Sequence, residues 1–142
     1  MSALGLKVID ETVQLTNVWL NELLDLTGWT SKQRAYRLLR ATLHTLRDRL
    51  PVNEAVQLSA ELPLLIRGIY FEGWHPAGKP EKFRSREEFV GRVQSAFDLD
   101  PLENPQEAVS AVLTLLSNRI SHGEMTDVRH AMPHVIAEMF GH

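Results

Sequence analysis

The stretch ATLHTLRDRLPVNEAVQLSAELPLLIRGIY (residues 41–70) aligns without a gap with AVLTLLSNRISHGEMTDVRHAMPHVIAEMF (residues 111–140), at an offset of 70. Apolar positions keep their character across the two stretches, as in Leu50/Ile120 and Tyr70/Phe140. Self-similarity at a fixed spacing indicates a repeat architecture. The sequence therefore predicts two tandem copies of one unit. Seven aligned pairs are identical: Ala41/Ala111, Leu43/Leu113, Leu46/Leu116, Arg49/Arg119, Glu54/Glu124, Pro63/Pro133 and Ile66/Ile136.

Apolar residues recur at helical spacing in four segments of each copy. In the first segment they stand at positions 19, 20, 23 and 26, matched by 89, 90, 93 and 96 in the second copy. Thr30 with Gln33 is typical of a capping box, and Pro63 and Pro133 are placed to begin the fourth helices. No segment is typical of a strand. We expect an all-α helical bundle of about eight helices from two tandem copies of a four-helix unit, sharing one core because a single helical pair cannot cover its own apolar face.

One segment between the two copies is typical of a linker. EGWHPAGKPEKFRS (72–85) is rich in Gly, Pro and Lys, and such residues punctuate helices. We predict a single domain over residues 1–142, with copy one at about 9–74, the linker at 75–84 and copy two at about 85–142.

Composition excludes several functional classes. The chain contains no Cys, which rules out disulfides, thiolate catalysis and Cys-ligated zinc. Its net charge of −3 neither requires nor excludes a polyanionic partner. The sequence has no G-x-S-x-G elbow, glycine-rich phosphate loop or HExxH pattern, so we expect neither an enzyme nor a cofactor.

Since MSALGLKVIDETV lacks a signal-peptide core and no run reaches roughly 18 apolar residues, we expect a cytoplasmic protein without a membrane partner.

Residues 39–93 contain a series of short motifs that resembles a bacterial family known as a domain of unknown function, number 2267. The resemblance extends over nearly the whole chain. It implies a compact helical protein, and it implies no activity, substrate or cofactor. The motifs are Arg49-Leu50-Pro51, Leu62-Pro63, Arg67-Gly68-Ile69-Tyr70, Gly73-Trp74, Gly78-Lys79-Pro80 and Glu88-Phe89.

Aromatic and basic side chains cluster around glycine and proline in residues 67–84. Loops often carry binding functions, and interfaces favour aromatic residues and Arg. This surface is our candidate for binding an unknown protein partner or a second copy of the chain. The alternative is that Trp74 and Phe83 only fix the linker to the core. The candidate residues are Arg67, Tyr70, Trp74, His75, Lys79, Lys82 and Arg84.

A group of histidines near the end of copy two suggests a different function. His130 and His134 are four residues apart, and two imidazoles one helical turn apart can share a metal ion. His122 and His142 lie in the same region. Pro133 argues against the site because a helix junction there breaks the spacing. Metal or small-ligand binding at this end is thus an alternative, with no metal favoured.

A third hypothesis concerns one face of the second helix, which carries Arg37, Arg40 and Arg47 together with His44. Such a face can hold phosphates, so nucleic-acid binding is a weaker alternative. The corresponding positions of copy two lack positive charge, and the first helix offers acidic partners. We therefore favour a solvated, partly paired face.

One charged pair recurs, as Arg49/Glu54 in the first copy and as Arg119/Glu124 in the second. A duplicated catalytic pair is one interpretation. We favour a structural role, in which each Glu lies in the first turn of a short helix and interacts with its N-terminal dipole, with the Arg at the end of the preceding helix.

Overall fold

The computed structural model describes residues 5–141, which form eight α-helices and no strand. The prediction of an all-helical bundle is thereby confirmed. The third and fourth helices of the two halves begin 70 residues apart, although the two-copy origin stays a prediction. The helices are α1 Lys7–Thr27, α2 Lys32–Arg49, α3 Val52–Ser59, α4 Leu64–Phe71, α5 Arg86–Gln94, α6 Pro105–Arg119, α7 His122–His130 and α8 His134–Ala137, with 3-10 turns at Ser95–Phe97 and Glu138–Phe140.

Local side chains set the ends of the helices. Gly28 ends α1 in a left-handed conformation (φ 74°), and its N–H donates to the carbonyl oxygen of Leu24 at 2.8 Å. Ser31 caps α2, where its hydroxyl accepts the N–H of Arg34 at 3.1 Å. The predicted capping box at Thr30 is therefore wrong by one residue, because only Ser31 adjoins the first helical residue, Lys32.

Both halves contribute to one core. The longest helices, α1, α2 and α6, pack against one another, and α5 packs against α2 and α6. A single cluster of buried apolar side chains runs from Trp19 to Phe140. It includes Leu23, Leu43 and Tyr70 from the first half, and Phe89 and Phe97 from the second.

Some predicted core positions face solvent. Leu65 and Val135, an aligned pair, are 42% and 41% exposed, because the short fourth helices bury only one narrow stripe. Leu26 is also 40% exposed. In the second half Ala96 is exposed, and Phe97 takes the inward position in the 3-10 turn. The register predicted for the end of that stripe is therefore wrong by one residue.

The segment between Phe71 and Arg86 is fixed to the end of α2. The N–H of Glu81 donates to the carbonyl oxygen of Asp48 at 2.8 Å. Phe83 is buried, and its carbonyl oxygen accepts a hydrogen bond of 2.7 Å from Nε of Arg49. The segment is therefore held at a defined position beside α5.

Candidate functional site

Two residues of the predicted 67–84 surface are engaged within the protein, Tyr70 in the core and Arg67 at its half-buried edge. Tyr70 is fully buried, and its hydroxyl donates to the carbonyl oxygen of Ala55 at 2.8 Å. Burial raises the pKa of Tyr70 far above its ordinary value. Nε of Arg67 donates to the carbonyl oxygen of Ser59 at 2.9 Å, and its Nη2 donates to that of Leu62 at 3.1 Å. Both side chains therefore hold α4 to α3, and Tyr70 offers nothing to a partner.

Trp74 and Lys79 are half-buried. The Trp74 ring lies 5.3 Å from the ring of Phe71, and its Nε1 is buried without an acceptor. Nζ of Lys79 lies 3.4 Å from a carboxylate oxygen of Glu81 and 4.0 Å from one of Asp48. These contacts, together with the buried Phe83, agree with the alternative that Trp74 and Phe83 fix the linker to the core.

The rest of the predicted surface is exposed and basic. His75, Lys82 and Arg84 are exposed, and Arg86 at the start of α5 joins them. Within residues 5–141, no carboxylate lies within ion-pair distance of Lys82, Arg84 or Arg86. Residues 82–84 are not helical, and Phe83 points inward between two outward cations. We call Lys82, Arg84 and Arg86 the basic strip.

The arginine face of α2 is occupied by the end of α4. Arg47 is only 5% exposed, and its Nη1 donates to the carbonyl oxygens of Tyr70 (2.6 Å) and Glu72 (2.5 Å). Nη2 of Arg40 lies 2.8 Å from the Glu72 carboxylate. Arg37 stacks on the Phe97 ring at 5.5 Å. These arginines thus have intramolecular roles, and they do not form an open stripe for phosphates.

His44 lies in the same contact. Its Nε2 is 2.7 Å from the carbonyl oxygen of Ile69, which is the geometry of a donated hydrogen bond. Burial lowers the pKa of His44, and the nearby cations Arg47 and Arg40 lower it further, against the opposing effects of the Ile69 hydrogen bond and Asp48. Protonation of His44 is therefore less favourable in the folded chain than in the unfolded chain.

We expect part of the acid sensitivity of the fold to come from His44. Because its pKa is lower in the folded chain, the unfolded chain takes up the proton first as the pH falls below about 6.5. Above about pH 6.5, His44 has no effect on how the free energy of unfolding changes with pH. Below that pH, preferential protonation of the unfolded chain lowers the free energy of unfolding, until the folded chain is protonated as well. His44→Gln, whose amide can still donate to Ile69, should lose less free energy of unfolding between about pH 7.5 and 5.5, measured by urea denaturation.

His75→Gln is the matched control, because His75 is exposed and outside the α2–α4 contact. It should keep the pH slope of the native chain. Equal slopes for the native chain and for His44→Gln would contradict the assignment.

The histidines of copy two lie at an open depression. It has a volume of about 470 Å³ and is lined by Arg129, His130, Met132, His134, Ala137, Glu138 and Gly141. Nε2 of His134 is 3.4 Å from the Glu138 carboxylate. Over residues 5–141, neither His130 nor His134 belongs to a group of three or more residues at metal-ligand spacing. His142 lies outside the described residues.

A second depression, of about 590 Å³, lies between the end of α1 and the start of α6. Arg34 is the one cationic residue that lines it, and its guanidinium is bound to the Asp100 carboxylate and the Pro101 carbonyl. The same guanidinium stacks on the Trp29 ring at 4.7 Å. This depression therefore presents no free cation to a ligand.

The two repeated glutamates meet between α3 and α7. Glu54 and Glu124 lie in the first turns of these helices, as predicted, but neither contacts the repeated arginines. Arg49 binds the Phe83 carbonyl, and Arg119 pairs with Glu22 at 2.5 Å. Ligand oxygens of Glu54, Glu124 and Asp127 all lie within 4.8 Å of one another. We call these three residues the acidic trio.

Sequence reasoning did not predict the acidic trio. The repetition of Glu54 at position 124 was a usable signal, because equivalent side chains can meet where two copies of a unit pack together. The identity of the third member, Asp127, depends on the angle between α3 and α7. Burial raises the pKa of Glu124, and the neighbouring carboxylates of Glu54 and Asp127 raise it further.

Among residues 5–141, no helix has both the length and the apolarity needed to cross a membrane.

Comparison with known proteins identifies the family of the chain but no activity. No curated protein matches the chain. The resemblance based on the motifs between residues 39 and 93 is confirmed over residues 16–139. The chain therefore belongs to the family described as "Uncharacterized conserved protein (DUF2267)".

Proposed function

We propose that this chain is a non-enzymatic binding module that recognises an acidic segment of a partner protein through the basic strip. The observation that carries the proposal is the exposure of three cations without carboxylate partners within residues 5–141. Other cations of the fold, such as Arg40, Arg47 and Arg92, have intramolecular partners.

The backbone around the basic strip is fixed before binding. Phe83 is 5% exposed and packs edge-on against Phe89, with ring centroids 6.1 Å apart. Arg92 stacks on the other side of Phe83 at 4.3 Å, and it also pairs with Glu81. A fixed backbone lowers the entropic cost of binding, because the cations are already held on one surface.

The size and charge of the surface favour a peptide over a nucleic acid. Nucleic-acid binding proteins present basic patches large enough to contact many phosphates. This chain has a net charge of −3, and the arginine face of α2 is occupied by α4. A strip of three cations is suited to a short run of Asp or Glu residues, where charge complementarity sets the specificity and the association rate.

The test uses a fluorescein-labelled peptide of six glutamates and measures its anisotropy as the protein is added. We expect saturable binding at about 20 mM NaCl that disappears near 300 mM, since the Debye length shortens from roughly 20 Å to about 6 Å. The double variant Lys82→Glu/Arg84→Glu should weaken binding by about tenfold or more, equivalent to about 1.4 kcal/mol.

The matched control is Lys7→Glu/Lys32→Glu, which makes the same change in net charge at exposed positions elsewhere. It should bind the peptide nearly as the native chain does. Equal weakening by both double variants would show that only net charge matters and would exclude a site at the basic strip. Tighter binding of duplex DNA than of the peptide would also overturn the proposal, as would self-association that exceeds peptide binding.

A further inference from the structure

The acidic trio brings three carboxylates to one point, and within residues 5–141 no basic side chain lies within ion-pair distance of them. α3 packs directly on α7, so the first turns of two helices face each other. Glu61, a fourth carboxylate near Glu124, is already occupied, because it accepts the N–H and the hydroxyl of Ser121 at 2.7 Å and 2.8 Å. The charged neighbours that raise the pKa of Glu124, after burial, are the carboxylates of Glu54, Asp127 and Glu61.

Because two of the three carboxylates are partly or fully buried, their ionised forms destabilise the fold when no cation is bound. Glu124 is 8% exposed, so more than nine-tenths of it is buried, and its Oε2 has no hydrogen-bond partner. Oε2 of Glu54 is likewise buried and unpartnered. A buried carboxylate without a donor or a counter-charge is strongly disfavoured. A buried carboxylate is relieved either by a proton or by a cation, so the unpartnered oxygens of Glu54 and Glu124 are open acceptors for a positively charged ligand, in addition to the cluster itself.

The dimensions suit a metal ion. Each oxygen ligand of Ca²⁺ lies about 2.3–2.6 Å from the ion, so two ligands of one ion are at most about 5 Å apart. The three oxygens of the trio lie within 4.8 Å of one another. Asp127 is exposed and provides access from solvent, while Glu54 and Glu124 form the interior side.

We propose that Glu54, Glu124 and Asp127 bind a hard divalent cation, with Ca²⁺ as the best fit, between α3 and α7. Carboxylate oxygens alone select hard ions, because softer metals prefer nitrogen and sulfur. Ca²⁺ accepts irregular geometry and completes its shell with water, whereas Mg²⁺ requires a near-ideal octahedron. The site shares no residue with the basic strip, so it stands independently of the proposed function.

The experiment is calorimetric titration of the protein with CaCl₂ after treatment with EDTA and dialysis, with MgCl₂, MnCl₂ and ZnCl₂ in parallel. We expect one Ca²⁺ per chain and a rise in the unfolding temperature, because a ligand that binds only the folded state stabilises it. Glu124→Gln and the exposed variant Asp127→Asn should each weaken Ca²⁺ binding by about tenfold or more, since the charge of the ligands sets the affinity.

Glu124→Gln also has a second expected signature. In EDTA this variant should unfold at a higher temperature than the native chain, because it removes a carboxyl group whose charged form is disfavoured by burial and by the neighbouring carboxylates; with Ca²⁺ the order should reverse. Glu103→Gln, an exposed position in the loop before α6, removes the same charge elsewhere and should match the native chain. Absence of binding heat and of a thermal shift up to about 10 mM Ca²⁺, Mn²⁺ and Mg²⁺, well above the millimolar Kd of the weakest calcium modules, would overturn the proposal. Equal affinity in Glu124→Gln would also overturn it.

Discussion

Replacing Arg47 with Met should cost the fold about 3–5 kcal/mol, which is the usual loss when one partner of a buried charged contact is removed. Arg47 is 5% exposed, and its guanidinium donates to two backbone carbonyls at the end of α4 and to the Asp48 carboxylate at 3.0 Å. Methionine preserves much of the length and volume of the side chain. The loss therefore comes mainly from buried acceptors that are left without a donor.

The control for this prediction lies on the same helix. Arg40→Met removes the exposed ion pair with Glu72, and exposed ion pairs contribute little to stability. Urea denaturation at pH 7, followed by circular dichroism, measures both variants. If Arg47→Met were no more destabilising than Arg40→Met, the proposed anchoring of α4 by Arg47 would be wrong.

Arg47 also illustrates what the sequence could and could not predict. Helical spacing placed Arg37, Arg40 and Arg47 on one face of α2, and they are all on that helix. The spacing gave no information about what covers the face. The end of α4 lies there because of tertiary packing, and the long side chains of Arg40 and Arg47 reach its last turn and its C-cap. A pattern typical of a solvated face therefore includes a buried guanidinium.

The 67–84 segment was predicted by composition, and composition does not separate an anchor from a binding residue. Tyr70 lies at helical spacing from Ile66, so its burial follows from the same stripe that buries Ile66. Beyond the end of α4 the chain has no periodicity that would show which side chains point inward. The inward position of Phe83 and the outward positions of Lys82 and Arg84 depend on contacts with Arg49 and α5.

The acidic trio depends on a contact between two helices, α3 and α7, which sequence spacing does not predict. The alignment at an offset of 70 residues singled out Glu54 and Glu124, and both lie in the first turns of short helices, as predicted. The repeated arginines were predicted at the ends of the preceding helices, and Arg49 and Arg119 are the last residues of α2 and α6. In the structure each Arg has a different acceptor, and the carboxylates of Glu54 and Glu124 lie close to each other between α3 and α7. Sequence spacing predicts which residues share a face of one helix, whereas the packing of α3 against α7 depends on the whole core.

Phe97→Ala should also have a large effect, with a loss of about 3–5 kcal/mol, the usual cost of truncating a buried Phe. Phe97 is 1% exposed and lies in the 3-10 turn after α5. Its ring is edge-on to Trp29, with centroids 6.5 Å apart, and the guanidinium of Arg34 lies 5.2 Å from it. Truncation would therefore remove core volume and a cation–π contact in one step. The free energy of unfolding, measured by urea denaturation, gives the loss.

Two further variants separate these contributions. Phe97→Leu keeps most of the apolar volume and should cost less than about 1.5 kcal/mol, because volume-conserving changes in a core are tolerated best. Leu99→Ala, only two residues away and 101% exposed, should change stability by no more than about 0.5 kcal/mol. If Leu99→Ala cost as much as Phe97→Ala, the register of the 3-10 turn would be wrong. Leu99, and not Phe97, would then be the buried side chain that fixes the end of α5 against α2. The observed replacement of Ala96 by Phe97 as the buried residue at the end of the predicted stripe would be wrong as well.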